Sequence, residues 1–243
     1  MDLVLIAGAT GGVGQLIVGK LLNRGIAGRI LTRNAEKARK MFDNKVDIVV
    51  GDSRHPTTLI VAMQNVTHII CCTGTTAFPS TRWEFDRFLR PQNSPQQVDA
   101  EGVKNLVDAA PKNLKRFIFV SSCGVLRKDK FPFKILNAFG VIKEKRKGEE
   151  AIASSGLPFT IIRPGQLIDG PYTSYDLNTF LKAKAENKYA VVIGTGDKLT
   201  GQTSRIDVAE ACVESIFYPE TKGKTFEIVN LGSRPSQTDW EVL

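Results

Sequence analysis

The residue types best suited to chemistry gather in a few short runs of this 243-residue chain, the first being Gly8-Ala9-Thr10-Gly11-Gly12-Val13-Gly14. It follows the apolar run Leu3–Ala7 directly and opens an apolar-periodic stretch, the context in which such a glycine pattern carries meaning. Gly8 permits a tight turn, Gly11 lets backbone N–H groups approach a pyrophosphate, and Gly14 lets a helix pack close to the strand. Thr10, Gly12 and Val13 complete the loop, and the helix N-terminus adds partial positive charge toward an anion. A glycine-rich turn with no ligand is the plain alternative.

Roughly 20 residues further on, a site selecting NAD would carry an acid for the ribose 2′-hydroxyl. This chain has Leu31-Thr32-Arg33-Asn34 instead. A guanidinium suits a 2′-phosphate, so Arg33, assisted by Thr32 and Lys37, points to NADP(H), unless Arg33 is simply a solvated loop arginine. Gly51-Asp52-Ser53 ends another apolar run. Asp52 is read either as an acceptor for the adenine amino group or as a turn residue, with Ser53 beside it. Cys72-Thr73-Gly74-Thr75-Thr76 is a small-residue loop that lets backbone pass close to a nicotinamide ribose, or is an ordinary turn.

The elements that must position these loops follow from hydrophobic periodicity. Leu3–Ala7, Arg29–Thr32, Val46–Val50, His68–Cys72, Arg116–Ser121 and Phe159–Arg163 read as strands buried on both faces. Helical patterns lie between them: Val13–Arg24, Ala35–Phe42, Pro56–Met63, Pro95–Ala110 and about Ile135–Ser155, with Gly25 and Gly156 as stop signals. Alternation of this kind predicts an α/β fold, a Rossmann-like doubly wound parallel sheet, with its ligand crevice at the carboxyl ends of the strands. Later pieces are a helix near Tyr175–Glu186, a strand at Ala190–Ile193, a helix over Asp207–Phe217 and a strand at Thr225–Asn230. They predict a small C-terminal substrate-side lobe at about 165–205 and one more sheet strand, all within a single domain spanning 1–243.

These runs resemble the atypical short-chain dehydrogenase/reductase superfamily, in particular its NAD(P)H-binding, NmrA-like group. The resemblance extends to Val120-Ser121-Ser122, to Gly156-Leu-Pro-Phe-Thr-Ile-Ile-Arg163-Pro164-Gly165 and to Arg205-Ile-Asp207-Val-Ala209. Thr73–Pro79 and Asp169–Asn178 look like uncharacterised cyanobacterial and chloroplast members. Some of those continue into a second domain beyond the point where this chain ends. The resemblance implies that Ser121, Pro164 and Gly165 join the cofactor-binding set, and that a serine at the end of the fifth strand orients the substrate. Ser122 is favoured over Ser121 for that role, and strand-end capping is the alternative for both.

The superfamily also uses a tyrosine four residues before a lysine. Here Lys134, Lys143, Lys145 and Lys147 are preceded at that interval by Lys130, Phe139, Val141 and Lys143, none of them tyrosine. The following Gly148-Glu149-Glu150 makes Lys145 the match to the family lysine, a ribose contact without its acid catalyst. Tyr172 or Tyr175 would replace the proton donor, or would instead line the acceptor pocket.

Composition excludes several classes. No run approaches the ~18 apolar residues that span a bilayer, no signal or transit peptide is visible, and the four cysteines form no CxxC pair. Reduced thiols in a cytosol-like compartment, or in the chloroplast stroma for a plastid lineage, are expected. With two histidines, neither near a cluster of ligands, no metal site is expected. Formal net charge is +8, and residues 112–147 alone carry eleven Lys and Arg against two acids. This basic face reads as solvated, or as meeting an acidic protein or an anionic membrane surface. Nothing marks a specific nucleic-acid binder. Two readings follow: an NADPH-dependent reductase of a conjugated small molecule of the flavin, bilin or quinone type, or a non-catalytic NADP(H) sensor or photosynthetic-complex assembly scaffold.

Overall fold

Alternate residues of each central strand feed two separate cores. From β1 (Leu3–Ala7), Val4 and Ile6 point to one face of the sheet, while Leu5 and Ala7 point to the other. A strand's period of two makes that division automatic. The computed structural model describes residues 2–75, 84, 85, 87, 91–168 and 189–233.

The main sheet has eight strands in the order β3-β2-β1-β4-β5-β6-β10-β8. They are β2 (Ala27–Thr32), β3 (Asp47–Val50), β4 (His68–Cys71), β5 (Arg116–Val120), β6 (Phe159–Pro164), β8 (Tyr189–Gly194) and β10 (Lys224–Ser233), beside β1. Every pairing is parallel except β10 with β8. The strand order turns back beside β1, so the carboxyl ends of β1 and β4 flank the crevice where such sheets bind ligands. A second, two-stranded sheet joins β7 (Gln166–Ile168) to β9 (Gln202–Ser204).

One core packs α1 (Gly14–Asn23) and α2 (Ala35–Phe42) with α7 (Arg205–Phe217) against the sheet, through Leu16, Ile17, Met41, Phe42, Val208 and Cys212. The other packs α3 (Leu59–Ala62), α4 (Gly102–Ala109) and α6 (Val141–Ser154), through Leu59, Val103, Leu106 and Ile152. Gly25 and Gly156 end their helices in the left-handed region, at φ +66° and +75°. Asn34 caps α2, its Oδ1 accepting the Lys37 N–H at 2.8 Å.

Four expectations are corrected. β3 is the sheet edge and is half-exposed, not buried on both faces, because no strand covers its outer side. Two late strands join the main sheet rather than one, and β8 runs antiparallel, since an apolar run carries no signal of direction. The helix expected from Ile135 is broken into α5 (Phe133–Leu136) and α6, because Gly140 turns at φ +83° and Asn137 Oδ1 takes the Lys143 N–H at 2.9 Å. The helix expected from Pro95 begins as a π-helical turn over Gln96–Glu101. That wider turn places Asp99 inside the protein, fully buried.

Candidate functional site

The glycine loop leaves β1 with Gly8 at φ +93°, and a Cβ there would stand 2.8 Å from the Cys72 carbonyl carbon at the end of β4. A Cβ at Gly14 would overlap the carbonyl oxygen of Gly8, which itself accepts the Gly11 N–H at 3.0 Å. Both glycines are therefore fixed by close backbone approach. Among the described residues, the N–H groups of Gly12 and Val13 donate to no protein acceptor, and they sit at the start of α1. That is the donor set an anion requires, so the loop fits a pyrophosphate. Lys37 lies nearby, its Nζ 3.4 Å from the carbonyl oxygen of Thr10. Across the loop lies Arg205 at the start of α7: its Nε is 3.0 Å from where a Cβ on Gly12 would be, and Nη1 donates to Ile168 O at 2.6 Å. Periodicity starts the late helix at Asp207 and gives Arg205 no role, so this contact is invisible before the fold is known.

At the adenosine side, Thr32 is buried and Arg33 exposes about half of its side chain. Arg33 Nη1 is 2.7 Å from Glu84 Oε1, and Arg54 Nη1 is 3.4 Å from Glu84 Oε2. One carboxylate is thus shared by two guanidinium groups. Asp52 is engaged by Arg54, whose Nε lies 3.0 and 2.9 Å from its two oxygens and whose N–H donates to Oδ1 at 2.9 Å. Burial works against ionising Asp52, but the hydrogen bonds and charge of Arg54 outweigh it and hold the carboxyl below its ordinary value. Asp52 thus makes a local turn contact through Arg54 N. Ser53 is buried against the π-helical turn, with its Oγ 2.8 Å from a Cβ position on Gly102 and its carbonyl accepting from Asn105 at 2.8 Å.

The loop after β4 meets Lys145. A Cβ on Gly74 would lie 3.1 Å from Lys145 Nζ, which is 2.9 Å from Asp99 Oδ1. The other Asp99 oxygen accepts from Thr75 N at 3.2 Å and from Thr75 Oγ1 at 2.5 Å. Thr73 Oγ1 is turned to Cys71 Sγ at 3.2 Å. Asp99 escapes the sequence reading because a lone acid in a helical pattern looks solvated; only the π-helical turn points it inward. Val141, the residue one turn before Lys145, is buried with Val125, Phe133 and Ile142. No hydroxyl stands where the superfamily's tyrosine would.

Ser121 is buried at the end of β5, and its hydroxyl has no hydrogen-bond partner among the described residues. Ser122 Oγ donates to the carbonyl of Cys123 at 3.0 Å. Pro164 closes β6 and accepts from Cys123 N at 2.9 Å, while Gly165 N is held by Thr203 Oγ1 at 2.8 Å and Ile228 O at 3.1 Å. Tyr172 and Tyr175 lie outside the described residues. Behind the site, Arg163 forms a two-point ion pair with Glu149 at 2.9 and 2.7 Å, nearly closed to water, which ties β6 to the helix carrying Lys145.

An NAD(P)H-binding family model matches residues 8–219. The chain belongs to this NAD(P)H-binding family. Within this group it is 34% identical to Protein TIC 62 of Pisum sativum over 229 residues, 86% of this chain and 39% of that protein. The chain spans well under half the length of the TIC 62 proteins it matches. It is 32% identical to sanguinarine reductase of Eschscholzia californica, covering 96% of this chain and 89% of that one. To the photosystem II assembly factor Ycf39 of Trieres chinensis it is 28% identical, over 92% of this chain and 62% of that one. Two solved structures share the fold: ChuY, an anaerobilin reductase from Escherichia coli (TM-score 0.71, 23% identity, 97% and 100% covered), and a Veillonella parvula short-chain dehydrogenase/reductase in complex with NADP (TM-score 0.65, 18% identity, 97% and 99% covered). The family is one of NAD(P)H-binding proteins, and the glycine loop, with its undonated N–H groups, has the geometry that an anionic cofactor requires.

Proposed function

We propose that this NAD(P)H-binding protein is an NADPH-dependent reductase of a conjugated small molecule, of the flavin, bilin or quinone type. One observation carries the reading: Lys145 is held by Asp99 beside Gly74, while buried Val141 stands where a proton-donating tyrosine would be. The cofactor, when bound, supplies a hydride, and the protein positions the acceptor and excludes water. Conjugated acceptors of these types take the accompanying proton from solvent, so they tolerate the missing hydroxyl. Lys145 holds the ribose, and Ser122, or the unpartnered hydroxyl of Ser121, orients the acceptor. The small β7–β9 sheet belongs to a substrate-side lobe of a single domain. Likeness to sanguinarine reductase along nearly its whole length supports this class.

Arg33 gives the preference for NADPH, with Lys37 assisting. Losing a charge-assisted contact of this kind costs roughly 1.5–3 kcal/mol, or about ten- to a hundredfold in affinity. Chloroplast relatives support a setting in the chloroplast stroma rather than a cytoplasmic one.

The second reading is an NADP(H)-sensing assembly scaffold without turnover. The same absence of tyrosine favours it, as does likeness to an assembly factor. Fluorescence titration of NADPH against NADH, followed by addition of flavin, bilin and quinone acceptors, separates the two. Acceptor-dependent oxidation of bound NADPH above the protein-free rate is expected. NADPH that binds selectively and stays inert to every acceptor assigns the scaffold, and equal affinity for NADH removes the role of Arg33.

A further inference from the structure

α5 and the turn after it stand on a small core of their own, where buried Phe133 packs with Val125, Val141 and Ile142. The Arg127 guanidinium caps the Phe133 ring, 4.6 Å from its centroid, and is itself held by Asp197 at 3.3 Å and Leu199 O at 2.7 Å. The segment is thus anchored from beneath. Its outer side chains nevertheless face water: Phe131 is 81% exposed, Ile135 54% and Leu136 39%, with Leu126 and Phe139 exposed to a similar degree. Single exposed apolar residues are ordinary, but several large ones on one anchored segment mark a contact surface.

The charges among them are almost all of one sign. Between Leu126 and Lys143 the only carboxylate is Asp129, which is paired with Lys128 at 2.6 Å. Lys130, Lys134 and Lys143 are exposed around the apolar side chains. We propose that this face, Phe131, Ile135 and Leu136 ringed by Lys130, Lys134 and Lys143, docks the protein reversibly on an anionic lipid bilayer. The apolar side chains are exposed to solvent, Phe131 over most of its surface, which suits insertion at the boundary between headgroups and acyl chains. The lysines complement anionic headgroups, and the wider excess of positive charge over residues 112–147 attracts the chain to such a surface. Neither half suffices alone: a solvated basic face gives no account of the exposed Phe131, and exposed apolar side chains alone give no account of the lysines around them.

The test is co-sedimentation of the chain with vesicles of phosphatidylcholine alone or of equal parts phosphatidylcholine and phosphatidylglycerol. Binding is expected on the mixed vesicles only, weakening as salt rises. Lys130→Gln/Lys134→Gln should lower vesicle affinity by on the order of tenfold, as two headgroup contacts imply. Phe131→Ser/Ile135→Ser should lower it comparably with net charge unchanged. Both pairs are exposed, so thermal melts and NADPH titration should match the parent chain and exclude misfolding. Failure to bind the mixed vesicles overturns the proposal. So does binding that the Phe131→Ser/Ile135→Ser variant retains in full, which would show a plain polycation. Tighter binding to polyglutamate than to vesicles, dependent on Phe131, would assign an acidic protein partner instead.

Discussion

The Lys145 ammonium lies 2.9 Å from Asp99 Oδ1, and the Asp99 carboxylate is wholly shielded from water while Lys145 keeps only 12% of its side-chain exposure. Through its other oxygen Asp99 also holds Thr75, so one carboxylate joins α6, the π-helical turn and the loop after β4. The arrangement fixes Lys145 at the crevice without a tyrosine partner. Lys145→Met leaves a buried carboxylate without its cation and should cost about 3–5 kcal/mol in urea unfolding. Adding Asp99→Asn should restore a substantial part of that loss. Strictly additive losses would show that the two side chains are not energetically coupled.

Gly12 and Gly14 make a contrasting pair. A Cβ on Gly14 overlaps the backbone of Gly8, which cannot move without breaking the β1 turn. Gly14→Ala should therefore cost about 1–3 kcal/mol or more, with loss of NADPH binding. A Cβ on Gly12 meets only the Arg205 side chain, 3.0 Å away and able to swing aside. Gly12→Ala should melt close to the parent and weaken NADPH binding instead, because the methyl group and the displaced guanidinium crowd the anion site. A large fall in melting temperature for Gly12→Ala would contradict this account of Arg205.

Strand-loop-helix spacing made the shape of the glycine loop legible, since Gly8, Gly11 and Gly14 are constrained by local backbone geometry. The core strands were equally readable, because both faces of β1, β4, β5 and β6 are buried and their sequences are accordingly apolar. What escaped depends on distant contacts. Asp99 gains its role from a π-helical turn that no periodicity signals, Arg205 from packing between residues separated along nearly the whole chain, and Glu84 from lying between Arg33 and Arg54. From its strand-end position Asp52 reads as an adenine contact or a turn residue, and its pairing with the Arg54 guanidinium two residues away is not visible in that position.

Glu84 stands against Arg33 and Arg54 as a 2′-phosphate would, offering anionic oxygens to the same guanidinium groups. On the proposed role of Arg33, NADPH must displace that carboxylate. The Arg33–Glu84 pair is half-exposed and so worth only about 0.2–1 kcal/mol. Glu84→Gln should accordingly tighten NADPH binding by up to about fivefold and leave NADH unchanged. Parallel titrations with both cofactors check it. An equal gain for NADH would place the effect on general charge rather than on the 2′-phosphate.

His68, at the start of β4, is buried, and burial is the main cause holding its imidazole below the ordinary value; nearby Asp2 opposes this, while Lys115 and Arg116 add to it. The unfolded chain takes up a proton near pH 6.5, where the folded chain does not. Stability should therefore fall as pH drops below about 6.5 and level off once the folded imidazole also protonates. The chain has one other histidine, His55, which is exposed, so His68 dominates this window. Urea unfolding at a series of pH values between 5 and 7.5 should give a sloping profile for the parent chain and a flatter one for His68→Gln, whatever that substitution costs at neutral pH. Equal slopes for the two would mean that His68 is protonated as readily in the fold as outside it.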